Sequence, residues 1–116
     1  MRGYWACITM FLLLTSCTGD ELPKDVMPVN QMKLVMFDVI SAQEMAQVIQ
    51  HKDSNAVKQK TFELYQQVFD IYKINREDFF KSFTYYEAHP DQLKILTDSL
   101  YAYGTRKRQE LYMKMK

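Results

Sequence analysis

From residue 28 to the end of the chain, apolar side chains recur at spacings of three and four, and polar or proline-containing breaks interrupt them at three places. That period belongs to helices with one buried face, and strand alternation and Gly-turn hairpin signals are weak. A first helix is predicted from 28 or 30 to 50. Pro28 suits a first turn, where its missing N–H costs nothing. Met32, Val35, Met36, Val39, Ala42, Ala46 and Ile49 form its stripe. Leu34 and Phe37 lie off that stripe, so this helix is expected to be covered on more than one side. The break at 51–55, which includes His51, offers Asp53, Ser54 or Asn55 as a cap for a second helix over 56–72. Val57, Thr61, Leu64, Tyr65, Val68, Phe69 and Tyr72 line one side of it, and Gln66, Gln67, Asp70 and Lys73 point away.

Asn75 caps a third helix, with Asp78 in the position of a capping-box acid and Glu77 beside it. Phe79, Phe80, Phe83 and Tyr86 fall within about 120° of one another on a helical wheel. Tyr85 points elsewhere and is the aromatic most expected at the surface. His89-Pro90 ends this helix and opens a fourth, with Asp91 in its first turn. Leu93, Leu96, Leu100, Tyr103 and Leu111 form the fourth apolar line. Gly104 lies almost on that line, either allowing a close helix contact or weakening the helix by about 1 kcal/mol relative to Ala. The expected architecture is all-α, a small bundle or array of four helices.

Residues 1–16 read as a secretory signal. Arg2 supplies the positive charge, and the apolar run at 4–14 is too short for the roughly 20 residues of a spanning helix. Leu14-Thr15-Ser16-Cys17 resembles the lipobox of bacterial lipoproteins. That resemblance implies cleavage before Cys17, diacylglycerol on its sulfur and a further acyl chain on its amino group. Two chains anchor stably where one anchors marginally. The expected division is residues 1–16 as signal peptide, 17–27 as acylated polar tether and 28–116 as helical domain. The tether is acidic at Asp20, Glu21 and Asp25. It reads either as a solvated linker or as a sorting signal, since acidic residues after the acylated Cys resemble surface-export signals of Bacteroidota. Thr18 stands where an Asp would resemble an inner-membrane retention signal, which directs the expectation to the outer membrane.

Composition narrows the chemistry. The chain has 15 Lys and Arg against 14 Asp and Glu, and Arg2 leaves with the signal, so the mature chain is neutral. Neutrality argues against a nucleic-acid partner. An aromatic content of 14% argues for a packed core. Cys7 lies in the signal and Cys17 takes the lipid, which leaves no disulfide, thiol nucleophile or Cys metal ligand. The mature serines lack a G-x-S-x-G setting, and neither His51 nor His89 has a second His four residues on. No enzyme activity, metal or cofactor is expected. The basic run of Arg106, Lys107, Arg108, Lys114 and Lys116 suits a helix C-terminus, or contact with anionic headgroups or an acidic partner.

A set of residues spread along the chain completes this reading. Leu22-Pro23-Lys24-Asp25 precedes Met32 and Asp38 in the pattern M-K-L-V-M-F-D. Tyr65-Gln66-Gln67-Val68-Phe69 and Tyr72-Lys73-Ile74 follow, then Phe79, Ser82, Tyr85, Tyr86, His89-Pro90, Leu93, Ile95 and Asp98. This resembles a Bacteroidota lipoprotein family, the domain of unknown function numbered forty-two ninety-six, over roughly residues 22–100. The resemblance implies a small helical lipoprotein and no particular activity. In the block F-x-x-S-x-x-Y-Y-x-x-H-P, the Ser82 hydroxyl is expected to bond a carbonyl one turn back. His89 is expected to satisfy backbone groups at the junction, so that the block fixes the angle between helices three and four.

The expected role is that of a lipid-anchored, non-catalytic envelope protein on the periplasmic or cell-surface face of the outer membrane, docking as an accessory subunit on a protein partner. Phe79, Phe80, Tyr85, Tyr86 and His89 are the candidate interaction surface. The alternative is a periplasmic carrier or chaperone-like protein for a peptide or small apolar ligand. A continuous exposed patch over Phe79, Phe80 and Tyr85 would favour docking. A concave apolar pocket between helices one and two would favour carriage.

Overall fold

A computed structural model describes residues 22–50 and 53–116. The expected signal peptide, Cys17 and His51 lie outside the described residues. Within them the chain forms four α-helices and no strand: α1 (Val29–Ile49), α2 (Ser54–Tyr72), α3 (Arg76–Ala88) and α4 (Pro90–Lys114). Helix α1 lies between α2 and α4, and α3 packs on α4.

The buried face of α1 is Met32, Val35, Val39, Ala42 and Ala46. Its second covered side is real. The Phe37 ring meets Tyr103 of α4 edge to face, with centroids 5.2 Å apart. Because α1 contacts helices on both flanks, its stripe is wider than a single-sided helix requires. Ile49, the last residue of the predicted stripe, is exposed.

Each break has a local cause. The Asp53 carboxylate accepts from the Asn55 and Ala56 N–H groups and starts α2 two residues earlier than expected. The end of α2 is a Schellman motif. The Ile74 N–H reaches the Phe69 carbonyl at 3.0 Å and the Lys73 N–H reaches that of Asp70 at 3.2 Å. Lys73 takes the left-handed conformation, φ 55°, which costs a residue with a Cβ roughly 1–2 kcal/mol. Ile74 packs against the core that contains Phe69, the apolar contact that accompanies such a cap. Asn75 Oδ1 accepts from the Asp78 N–H at 2.7 Å and caps α3. Pro90 opens α4 at its first position.

Two expectations are corrected here. Residues 22–27 are not only tether. Val26 and Met27 are buried and Leu22 packs against the core, so the folded unit starts before residue 28. The Val26 N–H closes a turn on the Pro23 carbonyl, and Lys81 of α3 pairs with Asp25. That ammonium holds the Asp25 carboxyl below its ordinary range, and the carboxylate raises Lys81 in return. The pair therefore supports the fold between the ordinary carboxylate and ordinary lysine pKa values, and its support is lost as pH falls through the lowered Asp25 value or rises through the raised Lys81 value. The second correction is Leu111, which is 61% exposed. Helix α4 has 25 residues and spans about 37 Å, and its last turns extend past its packing partners.

Gly104 has a clear reading in the structure. A Cβ added there would stand 3.5 Å from Phe37 Cε2, an ordinary contact. Close approach does not require glycine at this position, so the cost in helix propensity is uncompensated. Gly104→Ala is expected to raise stability by about 0.5–1 kcal/mol, read as a higher urea midpoint with an unchanged slope.

Candidate functional site

The family-like residues cluster first as fastenings. The Ser82 hydroxyl, fully buried on α3, accepts from the Met27 N–H at 2.9 Å. One turn on, the buried Tyr86 hydroxyl donates to the Met27 carbonyl at 2.7 Å. Two side chains at i and i+4 thus satisfy both backbone groups of one residue, Met27, in a buried loop, where an unpaired group would be costly. Ser82 does not bond back into its own helix as expected, because the loop N–H has no other partner. The block consequently fixes the N-terminal segment on α3. His89 behaves as expected at the junction. Its Nδ1 lies 2.7 Å from the Tyr85 carbonyl, which can only accept, so Nδ1 carries the proton. The His89 and Tyr85 rings stack at 3.9 Å.

Asp38 and Tyr72 form a second fastening, between α1 and α2. The Tyr72 hydroxyl donates to Asp38 Oδ2 at 2.6 Å. Burial, and the acceptor role of Asp38, raise the phenol well above its ordinary pKa.

The candidate interaction surface divides. Phe79 is 4% exposed and Tyr86 0%, so neither offers an exposed anchor. Phe79 faces the core because Phe69 of α2 packs tilted against it with centroids 5.3 Å apart, and Tyr86 faces it because the Met27 carbonyl accepts from its hydroxyl. Tyr85 is half-buried, covered by His89 and set edge-on to Tyr86. Phe80 is 39% exposed and is the member of the aromatic block that reaches the surface beside a concavity. Its side of α3 differs from that of Tyr85, so no continuous patch joins Phe79, Phe80 and Tyr85.

The concavity is a trough along α1. One end, about 200 Å³, is apolar and lined by Met36, Val39 and Ile40 of α1 and by Phe79, Phe80 and Phe83 of α3, with Gln43 and Tyr65 at its margin. The adjoining part, about 360 Å³, shares Gln43 and Tyr65 and continues to Gln47, Lys58, Phe62 and Arg76. From Met36 to Gln47 it spans about 16 Å. The apolar pocket thus lies between α1 and α3, not between α1 and α2 as framed from the sequence. At the shared margin, the Tyr65 hydroxyl donates to Gln43 Oε1 at 3.1 Å. Burial raises this phenol above its ordinary value, and the nearby Arg76 charge works against that rise.

Arg76 stands at the first position of α3. A cation there opposes the helix dipole, and two ring faces offset this. Its guanidinium carbon lies 4.9 Å from the Phe62 centroid and 5.2 Å from that of Phe80, within cation–π range. Among the described residues no carboxylate pairs with Arg76 or Lys58, and none lines either part of the trough. Sequence reasoning did not single out Ile40, Gln43, Phe62 or Arg76. The one available signal was an arginine directly after a helix cap.

No group of three or more His, Cys, Asp or Glu side chains able to hold a metal occurs among the described residues, and no described helix is long and apolar enough to cross a membrane.

Fold and trough together define a small all-α domain with an open groove that runs from apolar to cationic. The family described as a domain of unknown function, DUF4296, matches residues 23–110, and the chain belongs to it. The match begins inside the segment that Ser82 and Tyr86 secure and includes all but the last residues of α4. No curated protein and no solved structure matches the chain.

Proposed function

We propose that the protein is a non-catalytic, lipid-anchored subunit of the cell envelope, held to the outer membrane of a Bacteroidota-type bacterium through acylated Cys17, and that it docks a partner protein in the trough along α1. The observation that carries the docking reading is the exposure of Ile40, Phe62 and Phe80 along the trough, with the two rings against the Arg76 guanidinium. Aromatic side chains and arginine are the residues that anchor interfaces. The family-like polar residues support a non-catalytic role, because Ser82, Tyr86 and Asp38 are engaged in holding backbone and helices. The order of charge, apolar run and L-T-S-C supports the anchor. The carrier reading draws on the same trough, whose apolar end is concave.

Two measurements test this proposal. Cys17→Ala is expected to move the protein from the membrane fraction to the soluble one, and retention in the membrane would end the anchor reading. A photo-crosslinking residue at Phe80 is expected to capture one discrete envelope protein, with the adduct lost on Ile40→Asp. An adduct indifferent to that substitution would end the docking reading.

A further inference from the structure

We infer that the trough receives the C-terminal end of a polypeptide, with an apolar last side chain seated between α1 and α3 and its terminal carboxylate on Arg76. The inference rests on the trough being the docking face, and it names the occupant.

Size comes first. The apolar end holds about 200 Å³, less than the roughly 300–1,000 Å³ of pockets that engulf a whole small molecule. It suits one large side chain. The trough is also open along its length, so a long acyl chain laid in it would keep much of its surface in water, which is unfavourable. A peptide has a polar backbone that can face water while one side chain is buried.

Charge comes second. A guanidinium stacked on ring faces retains its N–H fork for a planar anion, and a carboxylate matches that fork in two parallel hydrogen bonds. Lys58 of α2 adds a second cation to the lining of the same part of the trough. Glu44 and Glu63 line neighbouring concavities that share residues with the cationic part, and among the described residues neither pairs with Arg76 or Lys58.

The polar lining comes third. Gln43 uses its oxygen to accept from Tyr65, which leaves its amide hydrogens as donors, and Gln47 lies one turn on. Carboxamides at that spacing suit peptide groups better than a hydrocarbon chain.

The probe is a fluorescein-labelled hexapeptide ending in Leu-Phe with a free carboxylate, titrated by anisotropy against the purified mature protein, alongside the same peptide as its C-terminal amide. The free acid is expected to bind at least roughly ten-fold more tightly than the amide, the scale of one lost charge-assisted pair. Arg76→Gln is expected to bring the acid down to the level of the amide and leave the amide unchanged. Ile40→Asp is expected to abolish binding of both. Both side chains are exposed, and an unchanged circular dichroism spectrum would show that each variant is folded. Equal binding of acid and amide overturns the inference, as does an indifferent Arg76→Gln or the absence of saturable binding by the free acid. Arg76-dependent binding of dodecanoate with none of the peptide would also overturn it in favour of an amphiphile. If the peptide fails while the Phe80 crosslink persists and depends on Ile40, the occupant named here is wrong and the docking reading stands.

Discussion

Tyr86→Ala is expected to cost about 3–5 kcal/mol, the scale for removing a buried aromatic side chain. The ring is fully enclosed, and its hydroxyl is a partner of a loop carbonyl. The substitution opens a cavity between α3 and the N-terminal segment and also strands the Met27 carbonyl. For a domain of this size the melting temperature would fall by roughly 15 °C or more, against a total stability of about 5–15 kcal/mol. Urea unfolding followed at 222 nm measures it, and a loss below about 1 kcal/mol would show that Tyr86 is not enclosed. Tyr86→Phe separates the contributions: it keeps the ring and removes the hydroxyl, at about 1–3 kcal/mol for the stranded carbonyl. Ser82→Ala acts on the N–H of the same residue at a similar scale. The two hydroxyls hold one residue, so the double variant is expected to cost less than the two single changes added together.

Phe69→Ala is expected to be of the same order, about 3–5 kcal/mol. Phe69 is 1% exposed and meets Phe79 on one side and Tyr65 on the other. Its carbonyl also receives the Ile74 N–H that closes α2, so packing and helix termination meet at one residue. Phe83→Ala is the useful contrast. From the helical wheel Phe83 has the same standing as Phe79, but it is half-buried and borders the open trough. A smaller loss is expected there, because only part of its surface leaves water on folding. Equal losses for Phe69 and Phe83 would contradict the description of the trough as open.

Helix positions were legible because they rest on local signals. Asn75 and Pro90 mark helix starts through backbone chemistry that any chain shares. Phe37 betrayed a second covered side by lying off the stripe of α1. The fate of Val26 and Met27 was not legible. They sit in a loop with no period, and the bonds that secure them come from residues more than fifty positions away. The choice between Phe79 and Phe80 was hidden for a related reason. They are neighbours on one face, and only the position of Phe69 decides which turns inward. Arg76 shows the same limit, since its two aromatic partners come from different helices. The left-handed turn at Lys73 carries no glycine to announce it.

The pairing of one loop residue with two side chains of α3 has a mechanical consequence. Any pull arriving along the chain ahead of Leu22 reaches Met27 before it reaches α1. The tension passes sideways through two hydroxyls into the middle of α3, and the first turn of α1 is shielded from being unwound from its end. A tug from that side would leave the long central helix in register until both hydroxyl grips gave way.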